Sequence, residues 1–281
     1  MDKILTRAVL VKLSINQFNP KRQDGKTTAE VLADKGAKST AGVWVKNLVD
    51  PKTLEVINSK AQAARAEHYR LSLPWKDEGW RILPTAIYQK YQDALRDKRT
   101  DFSWEVQKFL EKYPQYIEDA KLALNGMFNP GDYPNAEQVK EKFGFSVDVA
   151  PLPCGSDFRV ALASDELAAI QADVDKRVEE ATAQAVKDLW NRLAQPVKNI
   201  VNRLSEPEAI FHKSLIENLA AIVDLVPSLN VTGDAALDTL AQECKAKLAG
   251  LNVEDLRKDK DLRKNAAEEA QEILKKMEGY L

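Results

Sequence analysis

Between Ser164 and Leu193 apolar side chains fall at Leu167, Ile170, Val174, Val178, Ala181, Ala185, Leu189 and Leu193, always three or four residues apart. That spacing is the period of an α-helix with one apolar stripe, held for about eight turns. Ser164 is a helix-capping residue type, and Asp165 and Glu166 put negative charge at the positive end of the helix dipole. A stripe this long has to be covered by other helices, so it constrains the fold more than any other feature. Pro196 predicts a kink, after which Val197, Ile200, Val201 and Leu204 continue the face. Ser205 and Glu208 have capping-box spacing and predict a helix through Phe211, Leu215, Leu219, Ile222 and Val226, ending at Pro227. Two shorter helices follow over 235–249 and 254–278. Heptad spacing is not sustained as a two-stranded coiled coil requires, so the pattern predicts antiparallel helices folded back on themselves.

The first half reads differently. Val9, Val11, Leu13 and Ile15 alternate with polar residues, the period of a strand with one buried face. Phe145, Val147 and Val149 alternate in the same way, as do Phe158, Val160 and Leu162, and the turn residues 151–155 between them predict a hairpin. A lone strand leaves its backbone groups unpaired, so these three segments are expected to form one small antiparallel sheet. Asp50 followed by Pro51 starts a helix carrying Leu54, Ile57, Ala61 and Ala64 toward Tyr69. Another runs from Thr85 through Tyr91, Leu95, Phe102, Val106, Phe109 and Tyr113 to Pro114. Between them lies LSLPWKDEGWRILP, with two prolines, a glycine and two tryptophans, read as a turn with room for a short hairpin at its tip. The expected fold is therefore mainly α with a small antiparallel β-sheet (α+β), with long antiparallel helices and a C-terminal helical bundle. An α+β region over 1–163 precedes a helical region over 164–281.

Composition excludes some classes. With 281 residues, 44% hydrophobic and 30% charged, the chain is too apolar for wholesale disorder. Its longest apolar run, around Ala220 to Val226, falls short of the roughly 20 residues that span a bilayer. Residues 1–16 lack the apolar core of a secretory signal, and Cys154 and Cys244 read as reduced thiols, so a cytoplasmic location is expected. The net charge of -2 is unlike a globally basic nucleic-acid binder, yet residues 1–60 hold eleven Lys/Arg against six Asp/Glu. That local excess of positive charge permits an anionic partner.

No catalytic motif, cofactor motif or metal-ligand set emerges. Gly25-Lys26-Thr27-Thr28 matches the end of a phosphate-binding loop, but the position where that loop needs its first glycine holds Pro20, which has no amide hydrogen to offer. Asp148, the one candidate for a magnesium-binding aspartate after a strand, sits outside any parallel α/β repeat. His68, His212, Cys154 and Cys244 are single residues without a second ligand at metal-site spacing, and Ser156 lacks a nucleophile-elbow frame. Adjacent acids such as Glu179 and Glu180 read as solvated helix faces.

What remains is surface. Trp75 and Trp80 in a charged turn, with Lys76 and Arg81 beside them, are candidates for recognition, set against a reading in which both rings fold back over the helix ends. Lys21, Arg22 and Lys26, with Lys35 and Lys38, form a second candidate contact, for phosphate or an acidic partner.

Taken in order, VLVKLSI, the helix started by Asp50-Pro51, RILP, FLEKYPQY, FRVALA and EDLRKDKDLRKNAAEEAQEILKKM resemble a helical family of phage and bacterial proteins catalogued as a domain of unknown function. The resemblance implies a phage or mobile-element setting, hence a host-cell cytoplasm. It also implies a neighbourhood of MoxR-type ATPases and von Willebrand A-like proteins, and with them an adaptor role. The expected function is a non-catalytic interaction or scaffold protein with a protein partner or a second copy of itself. The alternative is a nucleic-acid binder using the basic N-terminal region and exposed tryptophans.

Overall fold

A computed structural model describes residues 2–76, 79–157, 164–206 and 209–281. The first half contains α1 (Asp2–Leu5), β1 (Ala8–Asn16), β2 (Lys21–Gln23), α2 (Gly25–Asp34), β3 (Val45–Asn47), α3 (Glu55–Leu71), β4 (Leu73–Pro74), β5 (Trp80–Pro84), α4 (Tyr88–Leu124), α5 (Ala136–Lys140) and β6 (Gly144–Pro151). The second half is helical: α6 (Ser164–Ser205), α7 (Ser214–Leu229), α8 (Ala235–Lys247), α9 (Val253–Lys258) and α10 (Lys260–Met277). The fold is mainly α with a small antiparallel sheet, as the periodicities predict.

The chain forms two compact units. One takes in residues 1–12, 69–91 and 148–281, the other 13–68 and 92–147. A division at 163/164 does not coincide with them, because strand residues far back in the chain group with the C-terminal helices.

In the first unit α6 packs against α7 and α10, and α8 against α7 and α10. Most of the stripe read from sequence is buried: Val178, Ala181, Ala185, Leu189 and Leu193 face inward, joined by Val197, Ile200 and Leu204, while Leu167, Ile170 and Val174 at its start are half-buried. Helix α6 is assigned without a break through Pro196, and the following helix starts at Ser214, leaving Phe211 and His212 ahead of it. Glu208, half of the expected capping box, lies outside the described residues. Pro227 is likewise inside α7 rather than at its end. The segment expected as one helix over 254–278 is split into α9 and α10, with the Asp259 carboxylate accepting the amides of Asp261 and Leu262 to cap the second.

The sheet order is β4-β5-β1-β6. Strand β1 takes β5 as an antiparallel partner, Ala8 opposite Pro84 through Lys12 opposite Trp80, and β5 in turn pairs with β4. The partner of the first strand thus includes WRILP, which the sequence reading assigned to a turn. Ala8, Leu10 and Val11 are all buried, so this end of β1 is covered on both faces and the simple alternation breaks down. The expected strand around Phe158 lies outside the described residues. Gly155 fixes the approach of the 152–157 segment to α6, since a β-carbon there would stand 2.7 Å from the Gln171 carbonyl oxygen.

The core of the second unit is aromatic. Phe18, Leu48, Val49, Leu54, Ile57, Phe102, Val106, Phe109 and Tyr113 pack together, with Phe143 and Phe145 against them. Asp50 caps the turn that leads into α3 by accepting the Lys52 amide, as its Asp-Pro start predicts. Helix α4 runs on through Pro114 for 37 residues. Proline there leaves the Leu110 carbonyl without its helical donor, but its φ already suits a helix, and the buried Phe109, Tyr113 and Ala120 hold both sides in place.

Candidate interaction surface

Residues 21–47 of the second unit form a small lobe: the two-stranded antiparallel ribbon of β2 and β3, with α2 between them. Helix α2 is started by Asp24, whose Oδ1 accepts the Thr27 amide at 2.9 Å. Thr28 then ties the helix to the returning chain, its hydroxyl donating to the Asp24 carbonyl at 2.6 Å and accepting the Trp44 amide at 2.8 Å. The Asp24 amide donates to the Trp44 carbonyl at 2.9 Å, so Trp44 is clamped at the first turn of α2.

One buried cation anchors this lobe. The Lys46 side chain is 3% exposed, and its ammonium lies 2.8 Å from Asp24 Oδ2, 2.8 Å from Asp132 Oδ2 and 2.7 Å from the Met127 carbonyl. Those three contacts use all three of its donor hydrogens. Burial alone would lower the Lys46 pKa, but the Asp132 and Asp24 carboxylates outweigh it and the net shift is upward. The Lys46 ammonium, and after it the Thr27 amide, holds the Asp24 carboxyl at about 2. A lysine this firmly protonated is neither a nucleophile nor a general base. Its role is mechanical: it fastens β3 and the start of α2 to the 127–132 turn.

The lobe's apolar side chains face outward. Helix α2 buries none of its residues. Val31 is 41% exposed, Val43 61%, Trp44 44% and Val45 45%. Val31 lies one helical turn beyond Thr28 and therefore on the face that meets Trp44. Elsewhere among the described residues, large exposed apolar side chains such as Trp104, Leu122 and Ile210 are not gathered within so short a stretch. The same lobe carries exposed cations: Lys21 and Arg22 on β2, Lys26 in the first turn of α2, and Lys35 and Lys38 beyond it. Arg22 is 3.6 Å from Asp132 and Lys26 is 4.0 Å from Glu30, both weak solvent-side pairs.

The partial phosphate-loop match is resolved by this geometry. Gly25-Lys26-Thr27 does open a helix after a strand, but the Thr27 amide, one of the first-turn donors that would meet a phosphate, already has the Asp24 carboxylate. The Thr28 hydroxyl is likewise committed, to Asp24 and Trp44. The adjoining cleft, about 770 Å³ and lined by Asp24, Lys26, Thr27, Lys46 and Asp132 among others, has its buried charges paired to one another.

The other predicted contact lies elsewhere, in the first unit. Trp75 and Trp80 are half-buried, and Trp80 is part of β5. Arg81 donates to the Ser72 hydroxyl at 2.7 Å and the Ser72 carbonyl at 2.9 Å, and stacks 4.6 Å from the centre of the Tyr69 ring. Burial, then the nearby Arg192 guanidinium, lowers the Arg81 pKa. Lys76 pairs with Glu180. Arg81 is thus engaged with Ser72 and Tyr69 and Lys76 with α6, whereas Lys21, Arg22 and Lys26 stand on the exposed lobe. Trp44, Lys46 and the three valines were missed in the sequence. The string GVWVKN held a signal, since its apolar residues do not alternate toward any one face.

A larger cleft in the first unit, about 980 Å³, is lined by Ile4, Ala183, Val186, Trp190 and Tyr280. Trp190 stacks on Tyr280 at 4.3 Å, and its ring N–H donates to Asp234, whose other oxygen caps α8. Glu179, Thr182, Lys187 and Thr232 also line the cleft. Among the described residues no group of three or more His, Cys, Asp or Glu could hold a metal ion, and no helix is long and apolar enough to cross a membrane.

The fold and this surface define an α+β protein with a helical bundle and a small exposed apolar lobe. Compared with protein-family models, curated proteins and solved structures, the chain matches none.

Proposed function

We propose that this chain is a non-catalytic interaction protein and that the 21–47 lobe is its contact surface. One observation carries the reading: a ten-residue helix that buries nothing, beside Val31, Val43, Trp44 and Val45, each at least 41% exposed. A helix this short draws its stability from tertiary packing, and large apolar side chains left exposed close together in one small lobe mark an interaction surface. In the phage or mobile-element setting that the family resemblance implies, the protein would serve as an adaptor, with a MoxR-type ATPase system as the machinery it serves. The test is photo-crosslinking from p-benzoylphenylalanine placed at position 44 in the cells that make the protein, with position 122 as control. Leu122 is 83% exposed but stands outside the lobe. A discrete adduct from position 44 and not from 122 is expected. The same diffuse background from both positions would remove the reading.

A second reading, nucleic-acid binding, draws support from Lys21, Lys26, Lys35 and Lys38 around an exposed tryptophan. It requires retention on DNA that weakens steeply with salt, because phosphate contacts release counterions.

A further inference from the structure

We infer that the partner of the lobe is an acidic, amphipathic protein segment, an inference that rests on the interaction reading above and names the chemistry of its partner. Residues 21–47 hold six Lys/Arg and three Asp/Glu. Inside, the Lys46 charge is met by Asp24 and Asp132 together. Five cations, Lys21, Arg22, Lys26, Lys35 and Lys38, face solvent; Arg22 pairs with Asp132, Lys26 with Glu30 and Lys35 with Asp34, and Lys21 and Lys38 carry the positive surplus. A second copy meeting this face with its own lobe would set those cations against each other, which disfavours symmetric self-pairing.

The apolar members separate the remaining partners. A single-stranded nucleic acid is held by aromatic rings on which successive bases stack. Here one tryptophan stands among three valines, whose branched aliphatic side chains offer no stacking plane. At the start of α2, where a backbone phosphate would otherwise settle, the Asp24 carboxylate already takes the Thr27 amide and places a negative charge there. Valines and a tryptophan instead suit the aliphatic anchors of a protein segment, and the lysines around them suit carboxylates flanking those anchors.

The experiment is fluorescence anisotropy on the full chain with three labelled probes: a peptide repeating Glu-Glu-Leu-Leu, its Lys-Lys-Leu-Leu counterpart, and an oligo-dT strand. The acidic peptide is expected to bind at least about ten-fold more tightly than the other two. Trp44→Ala should weaken it by about ten-fold or more, the loss typical of a central aromatic anchor. The doubly charge-reversed Lys21→Glu, Lys26→Glu variant should weaken it too and flatten its salt dependence, with the far-ultraviolet circular dichroism unchanged because both side chains are exposed. Equal binding of the two peptides, binding indifferent to Trp44, or a Trp44-dependent preference for oligo-dT would each overturn the inference. A position-44 crosslink to a neutral or basic segment would overturn it as well while leaving the interaction reading intact.

Discussion

Replacing Lys46 by methionine removes the buried cation that ties the lobe to the 127–132 turn while keeping most of the side-chain volume. The ammonium is 3% exposed and its two carboxylate partners 11% and 14%. Deleting one member of a buried charge cluster leaves the others uncompensated and typically costs roughly 3–5 kcal/mol. Asp24 and Asp132 keep some contact with water, so the expected loss is at the lower end, about 3 kcal/mol. Because α2 buries nothing, that loss should fall on the lobe before it reaches the aromatic core of the unit. Amide hydrogen exchange of the full chain reads it directly. Amides bonded within the lobe, such as Asp24, Thr28 and Trp44, should exchange about a hundred-fold faster, the factor that 3 kcal/mol implies, while those in the middle of α4 stay protected. Lys60→Met is the control: its pair with Asp101 spans 2.9 Å but is 36% and 51% exposed, and its loss should change exchange little. Unchanged protection across 21–47 in Lys46→Met would refute the claim that this cation anchors the lobe.

Acid should release the same anchor at an unusually low pH. The Asp24 carboxyl is held at about 2 against an ordinary 3.8, so its contribution is complete above 3.8 and is lost only as pH falls toward 2. Lys46 is shifted the other way, so its share is complete below 10.5 and fades only as pH rises through its higher folded value. The fluorine resonance of 5-fluorotryptophan at position 44, assigned through Trp44→Phe, should show its acid midpoint near 2, and a midpoint near 4 would contradict the geometry. The two thiols should also separate. Cys244 is fully buried, and burial followed by the Glu243 carboxylate pushes its thiol up to about 12, whereas Cys154 is half-buried beside the Ser156 hydroxyl. Ellman's reagent should titrate Cys154 in the native protein and Cys244 only after unfolding, and equal native rates would show that α8 is not packed as described.

How much of this could be read from the chain depends on how local each feature is. The inward stripe of α6 and the Asp50-Pro51 start of the α3 region were legible because the residues that decide them lie within one or two turns of each other. The exposed cations Lys21, Arg22 and Lys26 were legible as surface, for charge seldom goes inside unpaired. Pro114 and Pro227 were read as stops, yet both lie inside helices. Proline removes one backbone hydrogen bond, and packing on either side can make up for it.

The sequence by itself determined the helical character of the second half and the presence of a first strand, through periodicity. Only the tertiary structure decided that WRILP becomes the neighbour of that strand, that Lys46 is the buried lysine among the described residues, and that Trp44 rather than Trp75 and Trp80 stands on the exposed lobe. Each of these depends on residues far apart in the chain: Val11 meets Arg81, and Lys46 meets Asp132. Local propensity carries no record of such pairings, because the free energy that selects them exists only once distant side chains have been brought together and water has been excluded from between them.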